Sequence, residues 1–387
     1  MSIRDDIREL AKNTMFMRLN IPENYAELLR QQFESADNID FDKILEKLPS
    51  TRKSTVDTAL KHIKEAYVNE NLTLVLGSGI SAKFGLPTWD FLLQRLILKT
   101  ITETPEKATV LSKIFSKIFN PSPLIAGRYL KETFADTRQV KNRFEREVRK
   151  ALYETYDENV DSPIMEEIIK LCNTAGSRSL LDSIITYNYD DILERKLQKR
   201  NLDISFQSVY GQRINPDIKD LAIYHVHGFL PKEGTIGKNN SITLGEYDYH
   251  EQYNNIYSWN NIIQINKFRD KTCLFLGTSL TDPNIRRLLD ISNSQKEKKR
   301  NRKYHYLLKR KTTEDFVAQR LTYILEANDD IFNEKVKAKM DITETIQLLI
   351  KIQTRFEEKD SESLGVKTVW IDNYDADISD FLRRIKN

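Results

Sequence analysis

Six short apolar runs recur along the chain: Leu72–Leu76, Ser183–Thr186, Ala222–Val226, Thr272–Leu276, Tyr304–Leu308 and Val366–Trp370. Runs of four or five residues without polar alternation are too short for a helix, and they read as strands buried on both faces. Most are followed by segments with apolar residues at helical spacing. That alternation predicts an α/β fold: a doubly wound, mainly parallel, Rossmann-like sheet.

Two stretches do not fit a simple strand-helix alternation. Residues 91–178 carry three helical patterns, LLQRLILKTI, VLSKIFSKIF and VKNRFEREVRKALYETY, punctuated by Asn120-Pro-Ser-Pro123 and Asp157-Glu-Asn. A crossover between parallel strands needs only about a dozen residues, so an inserted helical subdomain is expected there. Residues 1–70 lack strand-like runs and place Tyr25, Leu28, Leu29 and Phe33, then Val56, Leu60, Ile63 and Tyr67, at helical spacing. They read as an N-terminal helical extension, with 71–387 as the domain built on the sheet.

A doubly wound sheet binds ligands beyond the carboxyl ends of its strands, so the residues after each apolar run are where chemistry is sought. Four of these turns are small, polar and glycine-bearing. The first is Gly77-Ser78-Gly79-Ile80-Ser81, continuing to Gly85-Leu-Pro87-Thr-Trp89. Small residues there let a backbone approach a pyrophosphate beside a helix N-terminus, although such turns also serve packing. It is neither a Walker A motif nor the GxGxxG fingerprint. The second is Thr186-Tyr-Asn188-Tyr-Asp190, whose polar residues equally suit helix capping. The third is His225-Val-His227-Gly228, where period two puts both histidines on one strand face. No third ligand completes a metal shell, so a base role suits them better. The fourth is Gly277-Thr278-Ser279-Leu-Thr-Asp282, able to cradle phosphate or sugar hydroxyls or simply to cap a helix.

Composition narrows the picture. Cys172 and Cys273 are the only cysteines, too few for a four-cysteine zinc module or a disulfide framework, and they fit a reducing compartment. Formal charge is +3, from 60 Lys and Arg against 57 Asp and Glu, which gives no reason to expect direct nucleic-acid binding. The basic segment 296–303 reads most simply as a solvated helix end and turn, with a contact to nucleic acid or an acidic partner as the alternative. No signal peptide opens the chain, and no stretch approaches the roughly 20 apolar residues of a membrane span. A soluble, cytoplasmic protein is expected.

Taken in order, Gly77-Ser-Gly-Ile-Ser81 with Gly85-x-Pro87-x-Trp89, Thr186-x-Asn188-x-Asp190, His227-Gly228 and Gly277-Thr-Ser279 resemble a sirtuin-type NAD-binding domain. The chain is most similar to the zinc-free, sirtuin-like branch found in bacterial immune effectors, over roughly residues 71–387. The resemblance implies that Gly77, Ser78, Gly79, Ser81, Gly277, Thr278 and Ser279 hold the diphosphate and adenosine half of NAD. It places Asn188 and His227 at the nicotinamide ribose as catalytic residues. Pro87, Trp89, Thr186, Asp190 and Asp282 complete the NAD site, Asp190 bracing its loop. Deacylase sirtuins carry a four-cysteine zinc ribbon after the His-Gly element, whereas residues 229–270 here contain no cysteine. No zinc is therefore expected, and water rather than an acyl oxygen is expected to take the ribose.

The resemblance thus implies an NAD glycohydrolase that depletes NAD in bacterial anti-phage defence, in the manner of abortive infection. Its NAD is a substrate, not a resident cofactor. A homo-oligomer and a regulatory partner such as a HerA-type ATPase are expected with it. The competing readings are a non-catalytic NAD or ADP-ribose sensor and an NAD-dependent deacylase or ADP-ribosyltransferase.

Overall fold

The structure is a computed structural model that describes residues 55–100, 122–173, 179–200, 205–211, 220–295, 304–328 and 331–386, with isolated positions 27 and 46. The periodic segment from Tyr25 to Phe33, the VLSKIFSKIF segment and the basic segment 296–303 lie outside these residues. The chain divides into two compact units, one comprising 53–310 with 361–387 and the other including 311–360.

In the first unit, helix α1 (Val56–Val68) precedes strand β1 (Leu72–Leu76), a one-turn helix α2 (Ser78–Ser81) and a 3-10 turn at Ala82–Phe84. Helices α3 (Trp89–Lys99), α4 (Pro123–Thr133), α5 (Arg143–Tyr153) and α6 (Pro163–Cys172) follow, then β2 (Leu181–Thr186), α7 (Ile192–Lys199), β3 (Phe206–Val209) and β4 (Leu221–His225). After β4 come α8 (Glu246–Asn254), α9 (Trp259–Asp270), β5 (Thr272–Leu276), α10 (Pro283–Gln295) and β6 (His305–Arg310). The second unit contributes α11 (Glu314–Ala327), α12 (Glu334–Lys339) and most of α13 (Ile342–Ser363), with a small core of Leu321, Leu325 and Ile346. The chain then completes the first unit with β7 (Val366–Ile371) and α14 (Tyr374–Lys386).

All six predicted apolar runs are strands. With β3 they form one seven-stranded sheet of order β3-β4-β2-β1-β5-β6-β7 in which every pairing is parallel. The period of two sends successive side chains to opposite faces. Leu72, Leu74 and Leu76 of β1 therefore join one core cluster while Val75 joins the other. Ile184 and Ile185 of β2 divide in the same way, so both faces are covered. The edge strand β3 is the one the apolar pattern misses: Phe-Gln-Ser-Val is polar at its centre and half-buried.

Local signals set the helices that cover the sheet. Thr55 caps α1 by accepting from the Thr58 amide at 3.2 Å, and Ala59, Ile63, Ala66 and Tyr67 make one buried stripe. α6 starts with Ser162 as N-cap and Pro163 in its first turn, a favoured pairing of residues at a helix start. α6 lies against α14 and α7, whereas α3 packs with α4 and α5. α1 packs against β1, β5, β7 and α14.

Register brings the four glycine-bearing and polar turns together. Leu76 at the end of β1 sits beside Leu276 of β5 and Thr186 of β2, and Thr186 sits beside His225 of β4. The strand order also reverses between β1 and β5, which makes their carboxyl ends the switch point where such a sheet opens a crevice. There the two turns interlock: Gly77 N donates to the Leu276 carbonyl and Gly79 N to the Gly277 carbonyl, both at 2.9 Å. A Cβ on Gly77 would stand 2.6 Å from the Gly277 oxygen. One on Gly277, whose φ is +68°, would stand 2.7 Å from the Ile80 nitrogen.

Gly277→Ala is expected to lower stability by about 2–4 kcal/mol, combining left-handed backbone strain with a backbone clash. Gly234→Ala, also at positive φ but with open space around the added carbon, isolates the strain and is expected to cost about 1 kcal/mol. Urea unfolding midpoints check the pair, and equal losses would remove the interlock from the account.

Candidate functional site

A cavity of about 980 Å³ opens at this switch point. Gly77, Ser78, Gly79 and Ser81 form one wall, with Pro87 and Trp89 at the start of α3 beside them. Gly277, Thr278, Ser279 and Asp282 line it from the end of β5, and Asn188, Asp190 and His227 from the ends of β2 and β4. Of the residues assigned to the NAD site from the sequence, Thr186 alone does not line the cavity. It is buried, and its hydroxyl accepts the Asn188 amide N–H at 3.1 Å.

The Gly-Ser-Gly turn is built differently from a free-amide cradle. The amides of Gly77, Gly79 and Ile80 all donate to protein carbonyls, those of Leu276, Gly277 and Gly77. The glycines are required because the two turns touch, while hydroxyls such as those of Ser78, Thr278 and Ser279 stand on the cavity wall. Ser279 Oγ is 2.7 Å from Thr281 Oγ1 within its own turn.

Asn188 is held in one orientation. Its Nδ2 donates to the Gly77 carbonyl at 3.1 Å and to Ser81 Oγ at 3.0 Å. A main-chain carbonyl only accepts, so the NH2 group must face it. The amide oxygen Oδ1 is thereby left as the group presented without a protein partner. Asp190, beside it, is buried. Burial pushes its carboxyl up to about 6, against hydrogen bonds from Ser81 and the Ile192 amide and the neighbouring charge of His225.

The two histidines do not share a face. β4 ends at His225, and the turn after it carries His227 elsewhere. His225 Nε2 contacts Glu194 Oε1 at 2.6 Å and its Nδ1 donates to the Asn188 carbonyl at 3.3 Å. His227 stands edge-on to Tyr187, with ring centroids 4.8 Å apart, and to Tyr249. Its Nε2 is sealed and has no hydrogen-bond partner; the nearest carboxylate oxygen, Asp282 Oδ2, is 3.9 Å away. Burial lowers the His227 pKa, only partly opposed by the charges of Asp282 and Asp248. The ring is therefore neutral near pH 7. The Asp282 carboxylate favours the proton on Nε2, which leaves the Nδ1 lone pair as acceptor. Asp282 itself caps α10 through the Ile285 amide at 2.8 Å and receives the Tyr249 hydroxyl.

Behind His227, the cysteine-free stretch is organised by buried amides. Asn261, Gln264 and Asn284 are completely buried and Gln252 nearly so. Gln252 Nε2 donates to Thr243 Oγ1 at 2.6 Å, Asn284 Nδ2 to Gln252 Oε1 at 2.7 Å, and Asn260 Nδ2 to the Val226 carbonyl at 3.1 Å. Tyr187 gives its hydroxyl to Gln264. Such networks specify one arrangement when every member is satisfied. Among the described residues, no group of three or more His, Cys, Asp or Glu side chains is placed to hold a metal ion.

Sequence reasoning missed several residues that line the cavity. Tyr187 lies inside the second polar turn and Tyr249 in the cysteine-free stretch, both without a distinctive motif. Tyr374, whose buried hydroxyl lies against Gly79 without a partner, comes after the sixth apolar run, and Lys309 and Arg310 come after the fifth. Inspecting the carboxyl end of every run, rather than of four, reaches all three.

Comparison with known proteins agrees in direction. Residues 182–329 match the family model described as SIR2-like domain. The NAD(+) hydrolase ThsA of Enterococcus faecium is 22% identical over 331 residues, covering 84% of this chain and 57% of that protein. ThsA of Bacillus cereus (strain MSX-D12) is 22% identical over 335 residues, covering 86% and 57%. The chain thus spans a little over half the length of these relatives. A crystal structure of a Sir2 homolog–NAD complex shares 13% identity with a TM-score of 0.29, over 79% of this chain and 99% of that one.

The enclosed Asp190 makes stability depend on pH. Its native pKa lies above the unfolded value, so the native state binds the extra proton and stability falls as pH rises from about 4 through about 6. Asp190→Asn is expected to raise Tm at pH 8, where the ionised group is most penalised, and to lose that advantage at pH 4. Thermal melts at the two values check it, and a pH-independent difference would contradict the assignment.

Proposed function

We propose that the chain is an NAD glycohydrolase, converting NAD and water to nicotinamide, ADP-ribose and a proton. The observation that carries this reading is the pairing of a neutral, partnerless His227 with a locked Asn188 in the switch-point crevice. The similarity to NAD(+) hydrolases and to the SIR2-like domain supports it.

In this reaction the bond between the nicotinamide nitrogen and the ribose carbon breaks, and its electron pair neutralises the pyridinium. The leaving group needs no proton. The demand on the site is to stabilise an oxocarbenium-like ribose and deliver water to it. Asn188 Oδ1 accepts from a ribose hydroxyl or from the attacking water, in a position set by its two Nδ2 hydrogen bonds. His227 takes the proton that water releases, since burial keeps its ring neutral and no protein group occupies its lone pair. The hydroxyls of Ser78, Thr278 and Ser279 serve the phosphates, with Trp89 and Pro87 closing the wall beside them. Asp190 and Thr186 brace the Asn188 turn. Tyr187 and Tyr249 exclude bulk water around His227.

The resemblance to the zinc-free branch supports a role in bacterial defence, and a homo-oligomer controlled by a partner such as a HerA-type ATPase belongs to the same proposal. Such control suits an enzyme whose unregulated turnover would empty the cell of NAD.

Purified protein incubated with NAD, alone and with candidate partners, is expected to release nicotinamide measurable by chromatography. His227→Ala and Asn188→Ala are each expected to lower kcat by about 10²–10⁴ while retaining the wild-type Tm within a few degrees. Tight NAD binding with no product under any condition would favour the sensor reading instead. The acid limb of kcat/KM is expected below the ordinary histidine value of about 6.5. It should persist in Asp190→Asn, and its disappearance there would move the base from His227 to Asp190.

A further inference from the structure

Water attack at the ribose makes no direct use of a second buried histidine that lies beneath Asn188. His225 is 1% exposed, and Glu194, with which it pairs, is 5% exposed. Ser208 Oγ donates to Glu194 Oε1 at 2.9 Å, the same oxygen that meets His225 Nε2 at 2.6 Å. On the other side of the ring, Nδ1 reaches the Asn188 carbonyl at 3.3 Å. The carbonyl can only accept, so Nδ1 carries a proton and the ring's orientation is fixed at both ends. Burial by itself would raise the Glu194 pKa, yet the charge and hydrogen bond of His225, with hydrogen bonds from a backbone amide and Ser208, together hold the carboxyl below its ordinary value. The Phe229 ring packs on His225 at 4.2 Å between centroids, and His225 also acts electrostatically on Asp190.

Three elements are joined this way: β3 through Ser208, α7 through Glu194, and the end of β4 through His225. All three converge on one main-chain carbonyl, that of Asn188. The Asn188 amide N–H is held by Thr186 and its side-chain NH2 by Gly77 and Ser81. Of the polar groups of Asn188 that the protein holds, the carbonyl is the remaining one, and on either side the Tyr187 amide donates to the Leu76 carbonyl and the Tyr189 carbonyl accepts from Leu230. Without the His225 bond the Asn188 peptide loses its own restraint between these two fixed points, and the direction of Oδ1 is held less tightly.

We infer that His225, oriented by Glu194 and Ser208, is a positioning residue for Asn188: its Nδ1–H clamps the Asn188 carbonyl and so aims the Asn188 amide oxygen into the crevice. This rests on the hydrolase reading for its effect on turnover, but not for the hydrogen bond itself.

Two variants separate positioning from mere stability. His225→Asn places an amide near the old Nδ1 position, so it can still donate to the Asn188 carbonyl while leaving the buried Glu194 carboxylate without its partner. It is expected to melt several degrees below wild type yet to keep kcat within about threefold. The double variant Glu194→Leu with His225→Leu removes both buried charges together and is expected to melt near wild type. It has no donor for the carbonyl, and its kcat should fall tenfold or more with KM changed less than threefold. A double-leucine variant that turns over like wild type would overturn the proposal, as would an asparagine variant slower than the double-leucine one. Nitrogen-15 NMR of histidine-labelled protein gives a readout independent of turnover, because His225 Nδ1 must appear protonated. An unprotonated Nδ1 would overturn the proposal even if no substrate were hydrolysed, whereas wild-type protein with a protonated Nδ1 and no nicotinamide release would sink only the hydrolase reading.

Discussion

The arrangement depends on a contact with no side chain in it, the back-to-back packing of the turns that end β1 and β5. Gly77 and Gly79 donate their amides to Leu276 and Gly277, and the approach is too close for any Cβ at Gly77 or Gly277. This contact locks the two halves of the sheet at the point where its order reverses. Asn188 then takes its direction from the Gly77 carbonyl that the same turn presents. The glycines therefore act on the chemistry by close packing first. Three of the turn's amides are already engaged within the protein, so the donors facing the cavity include hydroxyl side chains and the cationic Lys309 and Arg310.

Around that contact the protein buries titratable groups with differing degrees of compensation, and the differences distinguish their roles. Glu194 and His225 neutralise each other and hold a turn. Asp190 is buried with hydrogen bonds and the neighbouring charge of His225 for support, and its raised pKa shows that burial wins there. His227 has no hydrogen-bond partner at Nε2, and leaving a buried polar group unsatisfied typically costs about 1–3 kcal/mol. Perturbed and uncompensated groups in a cleft are characteristic of functional sites. On the opposite side of His227, Asn284 donates to the side chains of Gln252 and Asn261, Asn261 donates to the Gln252 and Asn255 carbonyls, and Gln264 pairs with the Tyr187 hydroxyl and the Asn260 carbonyl, which keeps α8, α9 and α10 in fixed relation.

Much of the fold was legible because strands buried on both faces write themselves as continuous apolar runs, and six of the seven did. β3 did not, because an edge strand half-open to solvent tolerates Gln207 and Ser208 at its centre. The polar turns were legible for a similar local reason: glycine and small hydroxyl residues after an apolar run mark a sharp exit from a strand. The shared face of His225 and His227 was not, since period two holds only while a strand continues and β4 stops at His225. Tyr374 carries no local signal beyond its position. Its significance lies in a contact with Gly79, nearly three hundred residues earlier in the chain.

The sequence by itself thus determined the strands, their exits, the α/β class and the residue types available at each exit, because these depend on short-range patterns of burial and backbone freedom. It also determined that no four-cysteine site could form. Only the tertiary structure decided which exits meet, which of the two histidines lacks a partner, which way the Asn188 amide points and why the glycines are needed. Those outcomes are set by strand register and by hydrogen bonds between segments far apart in sequence, and neither leaves a mark in the local pattern of a single chain.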